Sequence, residues 1–300
     1  MAVSLFCSAS FVLSLATPSD GMRQAGSSDA YRYSDKETVI GQLEEYRIEE
    51  GESLIEIARK FNLGFNEIID ANPGLDPFTP PAGVAVRIPA FWIVPDHDRD
   101  DDIVINLSEL RLYYFFRRNG ASFVRTFPIG IGEEGTDTPE GISRVIEKTD
   151  DPPWIPPESI RREQPDLPLV VPPGPDNPLG SHAMRLSSGN ILIHGTNQPW
   201  AIGRRASHGC IRLYPEHIPE LFRLVAPGAK VRIVRQPVKI GMRGNSVYVE
   251  VHRDGNDEGN NPYSAAVRLL IKKNLIRKVD TGRLYPAILR ETGIPAIVSP

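Results

Sequence analysis

Two hydrophobic periods divide the chain. From Tyr46 to Ile48 apolar positions alternate as in a short strand, and Gly51 marks a turn. Ser53 and Glu56 then form a capping box, and Leu54, Ile57, Ala58 and Phe61 fall at i, i+3, i+4 and i+7. That single apolar stripe predicts a helix. A second short helix is expected around Glu67 to Ala71, ending at Asn72-Pro73-Gly74, with a closing strand at Val84–Ile88 after Gly83. Residues 44–90 therefore read as a small βααβ module.

Past a charged hinge, Asp96 to Asp102, the period becomes two. Ile103, Ile105 and Leu107 alternate, and Leu110–Phe116 and Phe123–Phe127 flank Asn119-Gly120 as a hairpin does. Further strands are expected at Ile142–Glu147, Ile191–His194, Val231–Val234 and Val247–Val251. One helix is expected in this region, about Glu216 to Val225, with Ile218, Leu221, Phe222 and Val225 on one face before Pro227-Gly228. Residues 101–236 thus read as a mainly β domain, sandwich or barrel-like, with a helix after Cys210. Ten prolines crowd into residues 152–178, which rules out a central strand there. Trp154, Ile155, Leu167, Val170 and Val171 give that stretch apolar anchors, so an ordered lid is expected. Residues 237–300 are expected to add a strand extension and a basic helical tail, with Ser264–Leu275 helical; residues 264–290 hold seven basic side chains and one acidic one.

The first twenty residues contain an apolar run, Val3 to Ala16, too short to span a membrane and followed by polar Thr17–Asp20. They read as a signal peptide, although no basic residue precedes the run, and residues 21–43 read as a disordered polar linker. Export makes an oxidising compartment outside the cytoplasm the expected location. A net charge of −4 over 300 residues argues against a nucleic-acid binder held by phosphate contacts. Only Cys7 and Cys210 occur, too few for a disulfide-stapled scaffold or a four-cysteine zinc site. Cleavage would remove Cys7 and leave Cys210 as the lone thiol.

The surroundings of Cys210 carry the chemistry. Ile191-Leu192-Ile193-His194-Gly195-Thr196 delivers a histidine at a strand end, and Ser207-His208-Gly209-Cys210-Ile211-Arg212-Leu213 presents the thiol in a tight turn. A free thiol is mostly protonated at neutral pH, so an imidazole that accepts its proton makes it an acyl-group nucleophile. Gly209 would let backbone N–H groups approach a tetrahedral oxyanion. Two other readings of the same residues stay open at this point. Cys210 could be a small buried hydrophobe, or His194, His208 and Cys210 could hold zinc, although their spacing lacks a paired-ligand motif and a fourth ligand. His97, His182, His217 and His252 receive no role.

The segment resembles the active-site signature of the L,D-transpeptidase (YkuD-type) catalytic family, in the ErfK-like periplasmic branch. The resemblance includes Gly174–Gly180, His194-Gly195-Thr196 and Ser207–Leu213. Residues 44–90 resemble a LysM domain, through the Tyr-x-Ile strand, Gly-Glu-Ser-Leu turn, Ala-Asn-Pro and terminal Ile-Pro. The resemblance implies Cys210 as nucleophile and His194 as general base, with His208, Gly209, Gly195 and Ser207 in supporting or oxyanion roles. Arg212 is implied as a loop-holding or substrate-binding residue. No metal and no other cofactor is implied. The implied partner is peptidoglycan, its glycan held by the LysM domain and its stem peptides by the catalytic domain. Cys210 would attack a tetrapeptide stem at diaminopimelate, release D-Ala, and pass the acyl group to an amine: a second diaminopimelate (a 3→3 crosslink), a lipoprotein lysine or a D-amino acid. Water as acceptor would make the protein an L,D-carboxypeptidase. The rival of a different class is a non-catalytic wall-binding protein in which the LysM domain acts alone.

Overall fold

The computed structural model describes residues 30–254 and 261–300, so Cys7 and the signal-peptide reading of residues 1–20 lie outside the described residues. The main sheet has nine strands in the order Ala30–Tyr33, Ala121–Pro128, Arg111–Arg118, Ile103–Asn106, Lys230–Val234, Gly141–Asp150, His182–Leu186, Leu192–His194 and Ile211–Arg212. Most neighbours are antiparallel. Lys230–Val234 beside Ile103–Asn106 and Ile211–Arg212 beside Leu192–His194 are the parallel pairs within it.

The alternation read from the sequence places one side of this sheet correctly. Ile103, Ile105, Leu112 and Phe127 join Val145, Met184, Ile193 and Ile211 in one core, closed by Ile218 and Leu221 of the helix His217–Leu224. The intervening positions are buried too. Val104, Tyr113, Phe115 and Val124 face the opposite way and share a second core with Ile48, Leu54, Ile57 and Trp92, which belong to the βααβ module and the strand that follows it. A sheet covered on both faces loses the polar half of its alternation, which explains the near-continuous apolar run Tyr113–Phe116.

The βααβ module itself follows the sequence pattern. Ser53 caps the helix Leu54–Lys60, with the reciprocal Glu56 contact of a capping box in place. The second helix spans Phe65–Ala71, and Glu44–Arg47 pairs with Ala85–Ile88. Docking onto the main sheet is built around a buried ion pair. Arg111, fully buried, places Nη2 2.6 Å from Oε2 of Glu67 on the module's second helix and stacks over Trp92. Trp92 Nε1 donates to Glu67 Oε1 at 2.8 Å, and Arg111 Nη2 donates to the Asn62 carbonyl.

The disordered-linker expectation for residues 21–43 is corrected across its described part. Ala30–Tyr33 is the edge strand of the main sheet, and Val39–Gly41 pairs with Phe91–Ile93. Four side chains suffice: Tyr31 and Tyr33 pack on the second core, and Val39 and Ile40 are buried. The hinge reading of Asp96–Asp102 is corrected as well. Asp101 is buried between Lys230 and Arg232, and Asp102 accepts the Lys230 amide, so the segment is clamped to the neighbouring strand.

Past Val234 the chain builds more than a tail. Val238–Arg243, Ser246–Val251 and Ala296–Ile297 form a three-stranded sheet covered by the helices Pro262–Lys272 and Thr281–Arg290. Ile240 and Val249 from the strands meet Leu270, Leu284 and Ile288 from the helices in a third core. Buried charges lock this unit to the rest. Lys239 Nζ contacts Glu109 and lies 2.7 Å from Glu250, while His252 Nε2 is 2.6 Å from Glu250 and 3.3 Å from Glu109.

Candidate active site

Strand register assembles the site. Ile193 pairs with Ile211 and His194 with Arg212 across the parallel strands. Ile193 and Ile211 point into the core, so their sequence neighbours, His194 and Arg212 together with Cys210, belong to the opposite face. Cys210 precedes its strand by one residue and is level with Leu192. Adjacent-strand and along-strand spacings then put the His194 and Cys210 Cα atoms about 8 Å apart. Their side chains share no hydrogen bond in this arrangement, and Cys210 Sγ contacts the Asn190 carbonyl, at 3.8 Å. In enzymes, nucleophile–base contacts are often long in the free protein and tighten on substrate binding.

Cys210 sits on a turn held from both sides. Gly209 has φ +95°, a conformation that carries little cost only for glycine. Thr138 Oγ1 donates to the Gly209 carbonyl at 2.9 Å and accepts from the Gly132 amide. Ser207 Oγ donates to the Cys210 carbonyl at 2.6 Å, and Thr136 Oγ1 to that of Ser207 at 3.2 Å. Carbonyls tied down in this way leave the turn's amides on the other side; among the described residues neither the Gly209 nor the Cys210 amide is paired with a backbone acceptor.

The electrostatics favour a neutral pair. Burial, reinforced by the nearby Arg212 guanidinium, pushes the His194 pKa down to about 4. The Gly195 and Leu179 backbone groups face the ring and oppose that shift, although Nδ1 makes no hydrogen bond of good geometry. Burial pushes the Cys210 thiol up, against the Leu192 amide and the Arg212 and Arg185 charges that favour its thiolate. At neutral pH the resting state is thus a protonated thiol near a neutral imidazole, the starting point for general-base removal of the proton. Arg212 itself is half-buried with its Nε unpartnered, and burial lowers its pKa.

Gly195 is needed for close approach: a Cβ there would lie 3.0 Å from Ile218 and 3.2 Å from the Leu179 carbonyl. His208 points instead toward the lid. Its Nε2 is 3.2 Å from Glu163 Oε2 and 4.0 Å from Glu133 Oε1. Glu163 ends the lid's helix, Glu158–Glu163, and the lid is further ordered by the bridge between Trp154 and Val171. Its apolar anchors are only partly those expected, because Ile155 and Val170 are exposed. Asn177, within the Gly174–Gly180 segment, does the anchoring from the base by donating to the Pro152 carbonyl and accepting from the Leu179 amide. A cleft of about 420 Å³ lies beside that base, between Arg59 of the βααβ module and Asn177, Gly180, Thr196 and Pro199. Thr136, Thr138 and Glu163 also shape the site, and no motif in the sequence singles them out.

His194, His208 and Cys210 are not gathered as a ligand set. Among the described residues, potential metal-ligating atoms converge at Glu109, Glu250 and His252 and at Asp98, Asp100 and Asp101. In the first group the Lys239 ammonium pairs with both Glu109 and Glu250, and the second is bound to Lys230 and Arg232.

A β-rich domain presenting a cysteine turn beside a strand-borne histidine, with a small βααβ module docked behind it, defines the class. Residues 100–233 match the L,D-transpeptidase catalytic domain, YkuD, and residues 46–89 match the LysM domain. The probable L,D-transpeptidase YcfS of Escherichia coli K12 is 45% identical over 213 residues, covering 68% of this chain and 66% of that one. The probable L,D-transpeptidase ErfK/SrfK of Salmonella typhimurium LT2 is 36% identical, with 81% of each chain covered. YbiS of Escherichia coli K12, likewise named a probable L,D-transpeptidase, is 38% identical over 84% of this chain and 78% of its own. The chain belongs to the L,D-transpeptidase family.

Proposed function

We propose that the protein is a cysteine-dependent peptidoglycan L,D-transpeptidase of the cell envelope, its LysM domain engaging the glycan while the catalytic domain acts on stem peptides. The observation that carries this reading is the shared face of His194 and Cys210 on adjacent parallel strands, beside a glycine turn whose amides have no backbone acceptor. His194, neutral above about pH 4, takes the thiol proton as Cys210 Sγ adds to the carbonyl at the L-centre of diaminopimelate. The Gly209 and Cys210 amides receive the developing oxyanion. Collapse breaks the peptide bond, His194 returns its proton to the departing D-Ala amine, and a thioester remains. An acceptor amine then attacks the thioester, loses its proton to His194, and restores the thiol. Arg212, unpartnered at Nε on the same face, holds a substrate carboxylate, and His208 keeps the lid over the turn. The acceptor is the amine of a second stem, giving a 3→3 crosslink, or that of an envelope lipoprotein lysine.

Mass spectrometry tests the assignment. The wild-type protein should gain one covalent carbapenem adduct and release D-Ala from tetrapeptide muropeptides. Cys210→Ala should do neither while still binding peptidoglycan through the LysM domain. An adduct on Cys210→Ala, or a wild type inert in both assays, would overturn the enzyme reading and leave a wall-binding protein.

A further inference from the structure

The unit at residues 237–300 is outside both matched domains, and its surface differs from the rest of the molecule. Residues 261–300 carry seven basic and two acidic side chains, a net of +5, so the remaining 260 residues carry −9. Both helices lie on the same sheet, with Ala266 and Leu270 of one and Leu284 and Ile288 of the other turned inward. Their outward stripes therefore share one face. On the first helix that stripe is Arg268, Ile271 and Lys272, at i, i+3 and i+4. The connecting turn adds exposed Ile276, Arg277 and Lys278, and the second helix adds exposed Tyr285, Leu289 and Arg290.

Two features of this face need a common explanation. Ile271 is 58% exposed and Leu289 64%, large apolar side chains left in water on helices that already have a buried stripe. Lys272 reaches Asp96, and Arg283 reaches Asp280, whereas Arg268, Arg277, Lys278 and Arg290 have no acidic partner within 4.0 Å among the described residues. Within residues 261–300 the acidic side chains are Asp280 and Glu291, and they are engaged by Arg283 and Arg253. Unpaired cations alone would suit any polyanion. Cations interleaved with exposed aliphatic and aromatic side chains suit a surface that offers negative charge and, just beneath it, hydrocarbon.

We propose that the outer face of the 262–290 helical hairpin is a peripheral docking surface for an anionic phospholipid bilayer. Arg268, Arg277, Lys278 and Arg290 meet the headgroups, and Ile271, Ile276 and Leu289 enter the boundary with the acyl chains. This site is separate from the proposed chemistry at Cys210 and does not depend on it. It would hold the catalytic domain close to a membrane face.

Vesicle co-sedimentation of the full chain tests it. The wild type should partition onto vesicles containing about one-third phosphatidylglycerol and remain in solution with pure phosphatidylcholine. The quadruple variant R268Q/R277Q/K278Q/R290Q should lose at least about tenfold in partitioning. Ile271→Ser with Leu289→Ser, at unchanged charge, should lose several-fold. Both variants alter exposed side chains, so folding and D-Ala release from soluble muropeptides should match the wild type. Failure of the wild type to bind anionic vesicles would sink the proposal. Undiminished binding by the serine variant would replace the membrane with a soluble polyanion as partner.

Discussion

Glu163, the last residue of the lid's helix, lies 3.2 Å from the ring of His208, two residues before Cys210. A lid that otherwise bonds mainly within itself is thereby joined to the turn that carries the thiol. Both side chains keep contact with solvent, so the pair adds little to global stability, at most about 1 kcal/mol. Its effect falls on access. Glu163→Gln should leave the melting temperature nearly unchanged and raise the share of hydrolysed product over crosslinked product, read by muropeptide mass spectrometry. An unchanged product ratio would show that the contact does not hold the lid.

The acid limb of the reaction should report His194. With its pKa lowered to about 4, the imidazole stays a competent base until the pH falls to that region. Carbapenem acylation rates should therefore hold toward mildly acidic pH and fall near pH 4. Burial is the larger cause of the depression and the Arg212 charge the second. Arg212→Gln should accordingly move the acid limb upward, a shift that a purely loop-holding role for Arg212 would not produce.

Removing one partner of the Glu67–Arg111 pair should be costly. Arg111→Ala leaves Glu67 charged and buried without its guanidinium, a change worth about 3–5 kcal/mol in comparable buried pairs. Calorimetry should show a lowered melting temperature, and hydrogen exchange should rise first in the LysM helices. A variant with wild-type exchange in those helices would contradict the rigid docking.

The buried charge cluster of Lys239, Glu109, Glu250 and His252 sets a pH window for the C-terminal unit. Burial alone would lower the His252 pKa, but Glu109 and Glu250 outweigh it and raise it from 6.5 to about 9. Its contribution is complete below pH 6.5 and is lost as pH rises through about 9. Glu109 behaves oppositely. Lys239 and His252 overcome its burial and lower its pKa from 4.5 to about 2, so its contribution is complete above pH 4.5 and is lost as pH falls through about 2. Thermal stability should thus decline between pH 6.5 and 9, by an amount on the order of 3 kcal/mol, and His252→Gln should flatten that decline. An equally steep decline in the variant would place its origin elsewhere.

The βααβ module and the turn around Cys210 are legible in the sequence because each rests on local rules. A capping box at Ser53, an i, i+3, i+4 stripe and a glycine before the thiol need no distant partner. What the sequence hides depends on distant pairings. Tyr31 and Tyr33 look like isolated aromatics in a polar stretch until Val124 and Ser122 supply a strand edge. Glu109 is far along the chain from Lys239, Glu250 and His252, and nothing in their separate neighbourhoods announces that they meet. Glu163 is hidden for a related reason, since a single surface acid in a proline-rich lid is unremarkable until His208 is beside it. The third core is partly visible, as the strand near Val247 and the helix near Leu270. Reading them as a tail misses the closing strand Ala296–Ile297 that binds them together.

The burial of Arg111 between a LysM helix and the main sheet has a mechanical consequence. Two modules joined by a loose tether sample many separations, and a first binding event then merely raises the local concentration for the second. A buried guanidinium shared by both modules removes that freedom. The span from the LysM surface to Cys210 is then set by the fold, so in the proposed function the joint would work as a ruler, the strand position gripped at one end selecting the stem that reaches the thiol at the other.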